Sequence, residues 1–280
     1  MFRHSGLAAT SFSPLIAPCL ELGFTVTNTQ VTLIQIDNYG PWTVTPEPRR
    51  EVDLQTLQSR LYADLSQLFG NRDGYVFFTR FDNMVAVSNG LSINDHRLVQ
   101  ESVGNRYPVT VSFSVATGTT PVQALEDASK KLQDAGSAQD RSRREILCGR
   151  VIEESFREPD DLQFAHFDVN DMTEEYTDQY NAFDAFIHVE QGYAELMRYM
   201  REEYGSLSFF VGGDNIIAVC PDLDETEYES AIDHVQESAG VALKVGIGQA
   251  KHASDAGMAA KHALETCRGR GTTVEFADEL

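Results

Sequence analysis

The sequence predicts an α+β fold that is a tandem duplication of one βαββαβ domain. The first observation is a repeated hairpin, read as FFTRFDNMVAV over residues 77–87 and as FFVGGDNIIAV over residues 209–219. The two windows agree at six of eleven positions and lie 132 residues apart, which is too regular for chance. The second observation is a buried strand that ends in aspartate, at Asp37 and again at Asp168.

The first half sets the order of elements. The strand that ends at Asp37 precedes a helix over about residues 52–68, where leucines recur at the spacing of one buried face. The hairpin follows, then a strand over residues 109–116 and a helix over residues 121–134. Together these elements form the split βαβ, or ferredoxin-like, arrangement.

The second half repeats this order, with helices predicted over residues 183–203 and 254–268. An apolar stripe between the halves predicts a helical linker. The first residues do not belong to the repeat, and a signal peptide is disfavoured because prolines and an acid interrupt their apolar run. The predicted organisation is therefore a disordered extension (1–28), a first domain (29–140), a helical linker (141–160) and a second domain (161–280).

Composition excludes several classes of function. The formal charge is −21, with 43 acidic and 22 basic residues, so the chain is not expected to bind nucleic acid by bulk electrostatics. Four dispersed cysteines, without a paired spacing, argue against a disulfide framework and a thiolate zinc site. No run of eighteen apolar residues predicts a membrane span, and we expect a cytoplasmic protein. Dispersed acids with few lysines indicate adaptation to high salt.

The repeated aspartates indicate a metal site. In a split βαβ sheet the strand that ends in aspartate neighbours the hairpin, so Asp37 should face Asp82 and Asp168 should face Asp214. Two close carboxylates repel and stay ionised when a hard cation lies between them. All four aspartates are therefore candidate metal ligands and catalytic residues.

Residues near these aspartates are candidate substrate ligands. The first half offers a helix start with two arginines, where guanidinium groups and backbone amides could hold phosphate. The second half has more acid on its loop, at Asp171, Glu174 and Glu175, but its Gly-Gly turn allows close approach to the backbone. This comparison favours the first half for catalysis. The candidates are Asn38, Tyr39, Gly40, Arg49, Arg50 and Asn83 in the first half, and Gly212, Gly213 and Asn215 in the second.

These residues also carry a resemblance. A strand ending in aspartate, a helix and a hairpin with an aspartate at its turn resembles the palm fold of polymerases, class III nucleotidyl cyclases and GGDEF-type diguanylate cyclases. The longer runs IDNYGPWTVTPEPRR (36–50), TRFDN (79–83), NRYP (105–108), GSAQD (136–140) and GGDN (212–215) resemble archaeal GTP cyclohydrolase III, in a halophilic member. The resemblance covers about residues 29–280.

The resemblance implies an enzyme that hydrolyses GTP at C8, keeps the formyl group and releases the outer phosphates. The implied product is 2-amino-5-formylamino-6-(5-phosphoribosylamino)pyrimidin-4(3H)-one, for riboflavin and deazaflavin biosynthesis. Two Mg²⁺ ions, a monovalent cation such as K⁺ and a homotetramer are implied as well. Two alternatives stay open from the residues alone: a nucleotidyl or diguanylate cyclase, and a non-catalytic nucleotide-binding protein.

Salt should stabilise this chain. Repulsion among surface carboxylates is least screened at low ionic strength, where the Debye length is about 30 Å at 0.01 M. We expect the melting temperature to rise with KCl well beyond ~1 M, as measured by thermal unfolding. A melting temperature indifferent to KCl would show that the acidic surface is not an adaptation to salt.

Overall fold

The computed structural model describes residues 29–152, 161–169 and 181–278, which form seventeen helices and strands. None of these helices has both the length and the apolar character needed to cross a membrane. In chain order the elements are β1 (Thr29–Ile36), α1 (Tyr39–Val44), α2 (Glu51–Gly70), β2 (Tyr75–Phe78), β3 (Asn83–Val87), α3 (Ile93–Arg106), β4 (Val111–Gly118), α4 (Pro121–Asp134), β5 (Leu147–Gly149), β6 (Leu162–Val169), α5 (Ala182–Tyr204), β7 (Leu207–Gly212), β8 (Asn215–Cys220), α6 (Glu225–Ala239), β9 (Leu243–Ala250), α7 (Ala253–Arg270) and β10 (Val274–Phe276).

Two five-stranded sheets have the same strand order. The first runs β2-β3-β1-β4-β5, and the second, read in the same direction, runs β7-β8-β6-β9-β10. The strand that ends in aspartate, β1 or β6, lies in the middle and is antiparallel to both neighbours. The two edge strands β5 and β10 pair in parallel with β4 and β9. This shared order confirms the predicted duplication of an α+β domain.

The four helices predicted from periodicity are present, with ends set by capping residues. Thr120 accepts a hydrogen bond from the backbone of Gln123 at the start of α4, and Pro121 occupies the first helical turn. The side chain of Asn181 accepts from the first turn of α5, and Gly205 ends that helix in the left-handed conformation. Local sequence therefore determines where these helices begin and end.

The helical linker predicted over residues 141–160 is wrong in its described part. Residues 141–152 contain no helix, and β5 pairs with β4 so that Leu147 lies opposite Phe113. The backbone φ angles of Glu145 (51°) and Gly149 (105°) are incompatible with a helix there. The apolar residues thus extend the first sheet. Residues 153–160, and the extension predicted over 1–28, lie outside the described residues.

The two halves pack through a shared apolar cluster of residues from both sheets and from helices α4 and α7. At its centre the rings of Phe77 and Phe209 stack, with centroids 4.2 Å apart and planes 6° apart. These residues occupy equivalent positions of the repeat, so the two hairpins meet as the same surface of two subunits would in a symmetric dimer. The contact brings Tyr75 of the first half against Phe164 of the second, with ring centroids 5.9 Å apart.

Two glycines let α7 lie directly on β9. A Cβ atom at Gly246 or Gly248 would overlap the backbone of α7, so both positions require glycine. On the other face of the strand, Val245 and Ile247 are fully buried. This close approach places the last turn of α7, which carries Arg268, beside the end of β6.

Candidate functional site

Asp37 lies at the end of β1 and is almost completely buried, with 5% of its surface exposed. One carboxylate oxygen accepts from Ser112 Oγ (2.6 Å) and Arg143 Nη2 (3.5 Å). The other accepts from Thr110 Oγ1 (2.9 Å) and from the backbone N–H of Glu145 (2.8 Å). The carboxylate thus joins β1, the start of β4 and the segment before β5.

Asp82 lies across from this strand end, at the turn between β2 and β3. Its backbone oxygen accepts from the N–H of Ile36 at 3.0 Å, as the predicted neighbourhood of strand and hairpin requires. Its carboxylate pairs with the exposed Arg80, at 3.2 Å, rather than with groups around Asp37. Asn83 instead accepts a hydrogen bond from Gln35 Nε2 at 2.8 Å.

The loop after β1 contains the short helix α1. It begins after Asn38, which adopts the left-handed conformation, and Gly40 lies within it. Tyr39 stacks on Trp42, with ring centroids 6.1 Å apart. Burial, followed by the charges of Glu51 and Asp82, raises the pKa of Tyr39.

The two arginines predicted to bind phosphate have partners within their own segment. The guanidinium of Arg49 lies 4.1 Å from the centroid of the Trp42 ring. Arg50, at the N-terminus of α2, makes two hydrogen bonds to Asp53 (2.8 and 2.9 Å). Neither arginine lines the cleft beside Asp37. Their role in substrate binding stays a prediction.

The cations beside Asp37 come from the segment predicted to be a helical linker. A cleft of about 230 Å³ is lined by Asp37, Asn38 and Trp42, and also by Arg141, Arg143 and Arg144. Arg143 is buried and donates to Asp37, Gln35 and the backbone oxygen of Gly136. No local pattern marks this arginine, because its side-chain partners Gln35 and Asp37 lie 108 and 106 residues away.

Asp168 has different surroundings in the second half. It lies within β6, opposite Asn215 of β8, and 4% of its surface is exposed. Arg268 donates to both carboxylate oxygens, at 2.6 and 3.3 Å. Burial and the nearby charge of Asp214 raise the pKa of Asp168, against the opposing hydrogen bond from Arg268. The charge of Asp214 therefore acts on Asp168, while the pairing of the two carboxylates around a metal stays a prediction.

Asp214 occupies the tip of the β7–β8 hairpin. Gly212 and Gly213 have φ angles of 114° and 66°, which allow the backbone to turn there. Neither glycine has backbone atoms packed over its Cβ position, so the turn is open to a ligand. Asn215 donates from Nδ2 to Asp214 Oδ1 at 3.1 Å.

A cavity of about 530 Å³ extends from this turn along the sheet beneath α7. Two cationic residues, Lys261 and Arg268, lie on the helix side, and His166 lies on the sheet side. Burial, together with the charges of Arg268 and Lys261, lowers the pKa of His166 against a hydrogen bond to Asn215. Tyr75 from the first half completes the wall.

Arg268 and His166 were not among the residues predicted to form the site. Arg268 ends the helix predicted over residues 254–268, and its partner Asp168 lies 100 residues away, so no local signal marks it. His166 could have been found by aligning the halves, since it precedes Asp168 by two residues as Gln35 precedes Asp37. The acidic residues Asp171, Glu174 and Glu175 lie outside the described residues.

The two aspartate pairs differ in how well they fit magnesium. A carboxylate offers about four lone-pair positions, and all those of Asp37 are used by protein donors. Asp168 accepts two hydrogen bonds from one arginine, and the charge of Asp214 opposes its ionisation. Within the described ranges no cluster of three or more His, Cys, Asp or Glu side chains forms a metal cage. Magnesium, however, commonly binds through one or two carboxylates plus water and substrate phosphates, so the second pair fits it.

Comparisons with known proteins agree over most of the chain. A sequence model of the family described as GTP cyclohydrolase III matches residues 31–277. The protein named GTP cyclohydrolase III from Natronomonas pharaonis is 71% identical over 252 residues, which cover 90% of this chain and 100% of that protein. GTP cyclohydrolase III 1 from Halobacterium salinarum is 64% identical, over 89% of this chain and 98% of its own length. GTP cyclohydrolase III from Methanococcus vannielii is 45% identical, over 88% of this chain and 91% of that protein.

Solved structures give a weaker match. The GGDEF domain of DgcB from Caulobacter crescentus is 12% identical, with a TM-score of 0.37, and covers 43% of this chain and 80% of that domain. The active GGEEF domain of a diguanylate cyclase from Vibrio cholerae, also 12% identical, has a TM-score of 0.35. The match covers 43% of this chain and 85% of that domain.

Proposed function

We propose that the second half holds the catalytic centre of this chain, which belongs to the GTP cyclohydrolase III family and is a GTP cyclohydrolase. The observation that supports this location is the charge of Asp214 acting on the buried Asp168, whose partner Arg268 lines the cavity. The first half, favoured by the sequence, has its aspartate enclosed by protein donors instead. A site that includes Asp37 and Asp82 is the competing assignment.

In the proposed reaction, water adds at C8 of GTP and the C8–N9 bond breaks, with a proton going to N9. Two further water molecules release the two outer phosphates as inorganic phosphate. The formyl group stays on N7, and N9 keeps the ribose, as the product expected from the family requires. Asp168 and Asp214 would hold magnesium, and Arg268 keeps the Asp168 carboxylate in place. When bound, magnesium supplies positive charge and a Lewis acid.

The residues of the cavity would bind and orient the substrate. Lys261 places a positive charge where it can offset part of the charge of a triphosphate, whereas Arg268 already pairs with Asp168 and Glu265. Gly212 and Gly213 allow the phosphates to approach the backbone of the turn. The amide of Asn215, beside them, offers further hydrogen-bonding capacity. In the competing site, Asn38, Tyr39, Gly40, Arg49, Arg50 and Asn83 would take this role.

The identity of the product tests the function directly. Incubation with GTP and Mg²⁺ followed by mass spectrometry should give the ring-opened formylamino monophosphate and free phosphate. A cyclic or dimeric guanylate would support the cyclase alternative, and unchanged GTP would support a non-catalytic role. Either result would contradict the proposed reaction.

Metal removal should abolish turnover. Because the described candidate ligands are oxygen donors, EDTA should stop the reaction and Mg²⁺ or Mn²⁺ should restore it. Rates measured after EDTA treatment and gel filtration test this expectation, with Zn²⁺ addition as the control. An enzyme that needs stoichiometric zinc would contradict the proposed site. The K⁺ dependence implied by the family is tested at constant ionic strength by replacing KCl with tetramethylammonium chloride.

We also propose that the chain forms a homo-oligomer, with a tetramer implied by the family. One face of α5 exposes four apolar side chains, an arrangement that suits burial against another copy. These residues are Phe183, Phe186, Ile187 and Met197. Light scattering in high KCl should give four times the chain mass, and a monomeric mass would overturn the proposal.

A further inference from the structure

We propose that His166 is a positioning residue that orients the Asp214 carboxylate for magnesium through the side chain of Asn215. The proposal rests on the proposed catalytic centre in the second half. His166 lies on the central strand β6, is 8% exposed and lines the cavity next to the carboxylate pair. Its effect on Asp214 passes through Asn215.

The chain of contacts begins at the imidazole. His166 Nε2 lies 2.9 Å from Asn215 Oδ1, and an amide carbonyl oxygen only accepts, so the imidazole donates. Within the ladder His166 is opposite Ile217 and therefore reaches Asn215 diagonally, as a long or aromatic side chain can. The bond fixes which end of the amide faces the strand.

The other end of the amide then faces the hairpin tip. Asn215 Nδ2 donates to Asp214 Oδ1 at 3.1 Å and lies 3.4 Å from the backbone oxygen of Gly212. An amide turned the other way would place its oxygen against the carboxylate and repel it. His166 therefore selects the amide orientation that supports the carboxylate. Such support matters here because the turn itself is built from two glycines.

The first half contains only the start of this chain. Gln35 Nε2 donates to Asn83 Oδ1 at 2.8 Å, just as His166 donates to Asn215. However, Asp82 pairs with Arg80, and the other end of Gln35 accepts from Arg143. The equivalent bond in that half thus supports the buried Arg143 rather than a carboxylate at the hairpin tip.

The test compares two substitutions by direct binding of Mn²⁺, followed by electron paramagnetic resonance of the free ion. His166→Leu removes the donor and should raise the Kd for Mn²⁺ by about tenfold, the usual scale for losing a partner of a metal ligand. His166→Gln retains an N–H donor, as Gln35 does, and should keep most of the affinity. Gln35→Leu is the matched control in the first half and should leave Mn²⁺ binding unchanged.

Each outcome bears on the proposal. Wild-type Mn²⁺ affinity in folded His166→Leu would overturn the positioning role, as would equal losses in the Leu and Gln variants, which would indicate packing alone. Asp214→Asn separates the two levels of inference. If Asp214→Asn weakens Mn²⁺ binding and His166→Leu does not, only the role of His166 is overturned. If Asp214→Asn leaves Mn²⁺ binding unchanged, the metal site is overturned as well. Circular dichroism in the same KCl concentration confirms folding.

Discussion

Replacing Asp168 or Asp214 by asparagine should lower kcat at least about tenfold, which corresponds to ~1.4 kcal/mol of transition-state stabilisation. Asparagine keeps the shape of the side chain and removes the negative charge that would hold magnesium. Burial and the charge of Asp214 raise the pKa of Asp168, and Arg268 donates to both oxygens of that carboxylate. A bound cation would offset the repulsion between the two carboxylates. Steady-state rates at saturating GTP and Mg²⁺ measure the effect.

The matched control is Asp82→Asn, because Asp82 occupies the same position of the first hairpin as Asp214 does in the second. We expect a much smaller loss of kcat in this variant, since the Asp82 carboxylate pairs with an exposed arginine. The opposite ranking, measured on folded proteins in the same salt, would move the catalytic centre to the first half. That result would agree with the site favoured by the sequence.

Asp37→Asn should have the largest effect on stability, about 3–5 kcal/mol of unfolding free energy. The substitution leaves the buried Arg143 without its charged partner, and the side chains of the pair are each 3% exposed. The new amide N–H₂ also faces groups that donate hydrogen bonds. In one orientation these are Thr110 Oγ1 and the backbone N–H of Glu145, and in the other the hydroxyl of Ser112. Urea unfolding in high KCl measures the loss as a change of midpoint.

Two further variants separate burial from charge. Asp82→Asn breaks an exposed pair and should cost no more than about 1 kcal/mol. Combining Asp37→Asn with Arg143→Met should recover part of the stability, because no unpaired buried charge is then left. A urea unfolding midpoint for Asp37→Asn close to that of Asp82→Asn would show that Asp37 does not stabilise the first sheet.

Much of the fold could be predicted because its signals are local. Leucine periodicity located α2, and the predicted start of the helix at Pro121 is that of α4. The repeat of hairpin and strand established the duplication without any knowledge of contacts. The segment over residues 141–152 failed this reasoning, since a short apolar run suits either a helix or an edge strand. Pairing with β4 decided between them.

The candidate site likewise combines features that local sequence reveals with features that depend on long-range contacts. The sequence by itself determined the four aspartates, the glycine turn and the family, because these features are contiguous and repeated. Only the tertiary structure decided which aspartates have free coordination capacity, since that depends on donors distant in the chain. Arg143 lies 106 residues from Asp37, and Arg268 lies 100 residues from Asp168. Hydrogen bonds of this kind form when strands and helices pack, and no spacing in the sequence records them.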